Sequence, residues 1–161
     1  MRIGFFMYNT SPLFEIVTAK YLLQTKHDTY IVAEEGEILS AENINIKSDF
    51  KLSDDIAKHL DVLIIAGGDT DMVADISKIN SLINTMYSNN KLVASICSGN
   101  KILLDALDKK NDDISGIKTI EKNVICSSAD ASTNFGIYLG SILNIYEDDD
   151  DFFETIQFFG W

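Results

Sequence analysis

Two cysteines in a chain of 161 residues are too few for a disulfide framework, and Cys97 and Cys126 show no C-x-x-C spacing for zinc or redox cycling. Basic residues are scarce too. Thirteen Lys and Arg stand against 25 Asp and Glu, and the formal charge of −12 repels polyphosphate backbones. Nucleic acid is therefore a poor partner. No apolar run approaches the roughly 20 residues that span a bilayer, so no membrane partner is expected. The N-terminal RIGFFMY is short, lacks a small-residue cleavage pattern and runs into Pro12 and Glu15, which argues against a signal peptide and for a cytoplasmic location. The single proline, and the want of repeats, Pro-rich linkers or low-complexity tracts, leave no sign of a boundary; one domain over residues 1–161 is expected.

What the chain does contain is an alternation of apolar, β-rich runs with helical stretches. Strand patterns fall at 2–8 (RIGFFMY), 28–34 (DTYIVAE), 61–68 (DVLIIAGG) and 91–96 (KLVASI), with shorter ones around EILSA, INIKSDF, IKTI and NVICSS. Helical patterns fall at 11–23, 52–60, 71–88, 98–108 and 131–145, and Ser11 is expected to cap the first of these with Pro12 in its opening turn. Near-continuous hydrophobic strands between helices mark a mostly parallel sheet covered on both faces, an α/β three-layer sandwich. The tail YEDDDDFFETIQFFGW (146–161) reads as a helix capped by its acidic run, with Phe152, Ile156 and Phe159 on one face packed on the body; the run lacks the alternating ligands and central glycine of a calcium loop.

Chemistry concentrates at S-I-C-S-G, residues 95–99. A nucleophile elbow needs a strand ending in a sharp turn, small residues two before and two after the nucleophile, and a helix beginning there; Ser95 and Gly99 are those small residues. The helix mouth presents unpaired N–H groups and a positive dipole end, so the Cys97 thiol is expected to titrate well below a free cysteine's value of about 8.5. The plainer alternative, a small buried hydrophobe in a parallel sheet, stays open on the pentapeptide alone. Two features favour the site. Gly67 and Gly68 close an apolar strand at the sheet edge where open α/β folds bind ligands, and their backbone amides can face one, although a plain strand-to-helix turn also uses glycine. Glu15 shares a helix face with Ala19, Leu22 and Leu23, aiming a carboxylate inward where burial raises its pKa; the alternative is a simple first-turn acid.

The order of these features, a helix with an early Glu, a strand ending LIIAGG and a strand running VASICSG, resembles the ThiJ/PfpI superfamily over most of residues 2–145. The resemblance implies a flavodoxin-like, class I glutamine amidotransferase-like fold. It also implies Cys97 as the elbow cysteine, Glu15 as the acid hydrogen-bonded to it, and Gly67, Gly68 and Ser98 as backbone contributors to an oxyanion pocket. Members are commonly homodimers acting on small-molecule substrates, and no cofactor or metal is called for. The motif V-x-S-[IV]-C-[ST]-G is most similar to the isonitrile hydratase branch, in which an acid on the first helix and a hydroxyl after the cysteine assist the addition of water; Glu15 and Ser98 stand at those positions. Protease-like branches carry a histidine beside or downstream of the cysteine. Here His27 and His59 both precede Cys97, so a Cys-His dyad is absent and thiol proteolysis is disfavoured. The expectation is a cysteine-dependent hydratase, lyase or hydrolase on a small electrophile, or else a protein that senses oxidants through the same sulfur. Asp113 and Asp130 offer replacement acids but read more simply as loop residues, and Cys126 reads as a structural thiol.

Overall fold

A computed structural model describes residues 1–53, 55–110 and 113–160. Five short strands lead the chain: β1 (Arg2–Phe6), β2 (Asp28–Ala33), β3 (Glu37–Leu39), β4 (Asn45–Lys47) and β5 (Phe50–Lys51), with helix α1 (Phe14–Leu23) between the first two. After them come β6 (Val62–Ile65), α2 (Ile76–Ser88), β7 (Leu92–Ile96), α3 (Gly99–Ala106), β8 (Ile117–Glu121), β9 (Val124–Ser127), α4 (Ser132–Ile142) and α5 (Asp149–Phe158). Seven strands form one sheet in the order β5-β2-β1-β6-β7-β9-β8, parallel throughout except for the β8/β9 edge pair, while β3 and β4 make a separate antiparallel hairpin. This is the mostly parallel, helix-flanked α/β sandwich that the alternation predicts.

Side chains alternate across the strands and feed two cores. Ile3, Phe5, Ile64, Ala94 and Ile96 face α1 and α4 together with Ile16 and Phe135. Phe6, Leu63, Ile65 and Val93 face α2 and α3 together with Ile79, Ile83 and Leu103. Because Phe6 pairs with Ile65, Ile65 with Ser95 and Ile96 with Ser127, the carboxyl ends of β1, β6, β7 and β9 line up at one edge. The sequence places its chemistry on that edge.

Three local expectations are corrected. Helix α1 starts at Phe14, and Ser11 is not its cap: the Ser11 hydroxyl accepts from the Tyr8 N–H (3.0 Å), while the Glu42 carboxylate accepts from Leu13 N (2.9 Å) and Phe14 N (3.2 Å). Those backbone bonds hold the Glu42 carboxyl down at about 2. Over 52–60 only a 3-10 turn at Ile56–Lys58 forms, with Asp54 outside the described residues. The stretch 71–88 divides into a 3-10 turn, Thr70–Met72, and α2, whose first turn is capped by Asp75 accepting from Lys78 N. The tail forms its helix as expected: Asp148 accepts from Asp151 N (3.0 Å), and Phe152, Ile156 and Phe159 pack on the first core. Trp161 lies outside the described residues. Among those residues no helix is long and apolar enough to cross a membrane.

Candidate functional site

Strand β7 ends at Ile96 and α3 begins at Gly99, so the chain must reverse within two residues. Cys97 makes the turn with φ at 58°, a left-handed conformation that a non-glycine residue adopts only where its surroundings enforce it. They do so here. The Cys97 N–H donates to Ser127 O (2.9 Å), Asn100 N donates back to Cys97 O (3.1 Å), the Ser95 hydroxyl donates to Asn100 Oδ1 (2.7 Å), and Asn100 Nδ2 donates to Ser127 O (2.9 Å). The helix also needs a residue without a side chain, because a Cβ on Gly99 would lie 2.6 Å from Ala66 O and 2.7 Å from Ile65 O. These contacts hold the sharp strand-to-helix turn around Cys97, with Ser95 and Gly99 as its small residues.

Glu15, on the first turn of α1, is only 2% exposed and reaches the same point from the neighbouring layer. Its Oε2 accepts from the Gly67 N–H at 3.1 Å. A Cβ on Gly67 would collide with that oxygen and with Cys97 Cβ, 2.8 Å away, so glycine is what lets the acid and the thiol meet. Burial raises the Glu15 carboxyl above the usual carboxylate range, with hydrogen bonds to Cys97 and to the Gly67 amide opposing it. Cys97 departs from expectation: its thiol is pushed up, first by burial and then by its hydrogen bond to the Glu15 carboxylate and that group's charge, while the Ser98 N–H pulls the other way. The Ser98 N–H at the helix mouth favours the thiolate but does not outweigh burial and the carboxylate beside it. Each group therefore bears on the other's ionisation.

Of the three backbone donors implied by the family resemblance, two are engaged within the protein, and the third, the Ser98 N–H, bears on the Cys97 thiol. Gly67 N–H serves Glu15, and Gly68 N–H donates to Ser98 Oγ (2.8 Å), whose own proton goes to Gly68 O (2.6 Å). Ser98 thereby ties the Gly68 loop to the elbow. Cys97 and Ser98 are half-buried. Cys126 is fully buried, its sulfur lies 3.4 Å from the Ser95 hydroxyl oxygen, and burial pushes its pKa up, consistent with a structural thiol. Asp113 and Asp130 are exposed, and neither is among the groups that bear on Cys97. His27 bonds Leu143 O through Nε2 (2.8 Å), and His59 ends the 3-10 turn before β6; neither is brought to the site. Among the described residues no cluster of three or more His, Cys, Asp or Glu side chains is placed to hold a metal ion.

One residue at this edge is absent from the expected set. Tyr8 follows β1, is 1% exposed, and its hydroxyl has no hydrogen-bond partner among the described residues. Burial chiefly pushes its pKa up to about 12, the nearby charges of Glu15, Cys97 and Asp69 add to that, and the neighbouring Ser98 hydroxyl opposes it. The only signal in the sequence is its position, an aromatic residue with a polar tip at the carboxyl end of a central strand.

Residues 1–135 match the model of the DJ-1/PfpI family. The putative cysteine protease YraA of Bacillus subtilis is 30% identical over 94 residues, covering 58% of this chain and 56% of that protein, so the chain spans little more than half the length of this relative. Among solved structures, Drosophila melanogaster DJ-1beta superposes with a TM-score of 0.79 at 15% identity, covering 97% of this chain and 95% of that one. The DJ-1 superfamily protein Atu0886 of Agrobacterium tumefaciens gives 0.79 at 15%, covering 98% and 97%. Likeness at that identity speaks for the fold.

Proposed function

The chain belongs to the DJ-1/PfpI family, and on that premise we propose that Cys97 is a nucleophile that adds to the electrophilic carbon of a small molecule, as a hydratase, lyase or hydrolase. The observation that carries this reading is the meeting of Glu15 and Cys97 at Gly67: a buried carboxyl and a half-buried cysteine at a left-handed turn, so close that a Gly67 Cβ would press on Glu15 Oε2 and lie 2.8 Å from Cys97 Cβ. Burial pushes both groups toward their protonated forms, and on our reading the reactive state is the one in which they hold a single proton between them. When it rests on Glu15 the sulfur is a thiolate facing a carboxylic acid; when it rests on sulfur the carboxylate is a base. Either arrangement serves an addition, in which a nucleophile forms a bond and a proton must then be delivered.

The similarity of VASICSG to the isonitrile hydratase motif makes an isonitrile one candidate substrate and a reactive carbonyl compound another. A YraA-like protease role gains no support from the site, since neither histidine reaches Cys97 to complete a thiol–imidazole dyad. Incubation of the purified protein and a Cys97→Ala variant with isonitriles and 2-oxoaldehydes tests the reading: multiple turnovers by the wild type, lost in the variant, are expected. A second reading rests on the same half-exposed sulfur, which a peroxide can oxidise once to a sulfenic or sulfinic acid. Stoichiometric oxidation without turnover of any such substrate would favour that oxidant-sensing role. The family resemblance further suggests a homodimer in the cytoplasm, and Phe14, Val17 and Tyr21 on the outer face of α1, with Phe158 beside them, are exposed apolar residues that a second copy would cover.

A further inference from the structure

An enzyme that adds its thiolate to a carbon bearing oxygen must hold the negative charge that appears on that oxygen. The two loop amides at this edge are engaged, Gly67 N–H by Glu15 and Gly68 N–H by Ser98. One donor is free. The Tyr8 ring presses its Cε2 corner, next to the carbon that bears the hydroxyl, to 3.0 Å from where a Gly68 Cβ would stand, and the hydroxyl is buried there without a partner. The ring packs against Phe6 with centroids 5.8 Å apart, so the phenol is fixed in place. An unpaired buried hydroxyl costs stability, which makes its retention at the edge of a reactive thiol informative.

We propose that the Tyr8 hydroxyl is the hydrogen-bond donor for an oxygen carried on the carbon that Cys97 attacks, and that it selects electrophiles of the carbonyl class over those without such an oxygen. The inference rests on the nucleophilic reading of Cys97. For an aldehyde the step is an addition: a sulfur electron pair forms the S–C bond, the C=O π pair moves onto oxygen, and that oxygen accepts from Tyr8 Oη–H. The proton held by Glu15 and Cys97 finishes on the same oxygen, giving a neutral thiohemiacetal and a Glu15 carboxylate. Tyr8 keeps its own proton throughout, as befits a phenol raised to about 12.

Tyr8→Phe removes the hydroxyl and keeps the ring. The test compares two reagents at Cys97 in both proteins: methylglyoxal, read as its ability to mask Cys97 reversibly, and iodoacetamide, whose attacked carbon carries no oxygen, read as the alkylation rate by mass spectrometry. Tyr8→Phe is expected to weaken masking about ten-fold or more beyond any change in alkylation rate, as loss of one oxyanion donor does, while thermal unfolding occurs no earlier than in the wild type. Equal masking by the two proteins, or no masking of the wild type, overturns the role of Tyr8. Alkylation of wild-type Cys97 no faster than Cys126 is a different result: it removes the nucleophilic reading, and the proposal with it.

Discussion

Gly67 is where the acid, the thiol and the β6 edge come within touching distance, so Gly67→Ala is the sharpest mechanical test of the site. The residue does not sit in the left-handed region, and alanine therefore meets no backbone penalty there; the whole effect must come from contact. The new methyl would lie 2.8 Å from Cys97 Cβ, where ordinary contact begins at 3.4 Å, and on top of Glu15 Oε2. Cys97 Cβ is anchored by the elbow, so the Glu15 carboxyl is the group that yields, and it gives up the Gly67 N–H. Overpacking of this kind costs about 1–3 kcal/mol and the lost buried hydrogen bond about 1 kcal/mol, which sets the expected destabilisation at about 2–4 kcal/mol. Urea unfolding of Gly67→Ala beside Gly36→Ala measures it. Gly36 has nothing within 4 Å of its Cβ position, and its substitution should stay within about 0.5 kcal/mol. The Cys97 alkylation rate should change in the first variant only. A Gly67→Ala protein as stable as the Gly36→Ala protein, with unchanged alkylation, would refute the close meeting of Glu15 and Cys97.

Two further outcomes follow from the fold. The Glu42 carboxyl, held at about 2 in the folded chain against an ordinary 4.5, contributes stability that is present above about 4.5 and lost as pH falls toward 2, so Glu42→Gln should flatten the acid limb of a stability-against-pH curve in that window; an unchanged limb contradicts the capping role. Val17→Asp, on the exposed face of α1, should convert a dimer to a monomer by sedimentation velocity, and a wild type that is already monomeric removes the proposed partner.

The sheet was legible because its central strands are buried on both faces and read as unbroken apolar runs, with Val62–Ile65 the clearest. The sharp turn at Cys97 is legible because the small residues Ser95 and Gly99 flank the cysteine at fixed spacing. What could not be read depends on distance along the chain. Glu42 caps a helix whose first residue lies 28 positions earlier, and no local pattern ties the two. Strand β5 is a two-residue edge piece with both side chains exposed, leaving no hydrophobic signature. The direction of the Cys97 shift was missed for a related reason: the helix mouth is visible in the local sequence, whereas the strength of burial and of the Glu15 carboxylate depends on how closely α1 is brought to β6. Tyr8 carries no signal of its own in the sequence, because its run, RIGFFMY, accounts for it as packing, and the hydroxyl without a partner among the described residues is what distinguishes it.

The central claim is that Glu15 and Cys97 hold a proton in common at a site open to small reagents. Iodoacetamide labelling of both cysteines across pH, in the wild type and in Glu15→Gln, tests it most directly. Cys97 should label much faster than the fully buried Cys126, and its midpoint should fall in Glu15→Gln because a charge that pushes the thiol up has been removed. Equal rates at the two cysteines, or a Cys97 midpoint that does not move, would contradict the account.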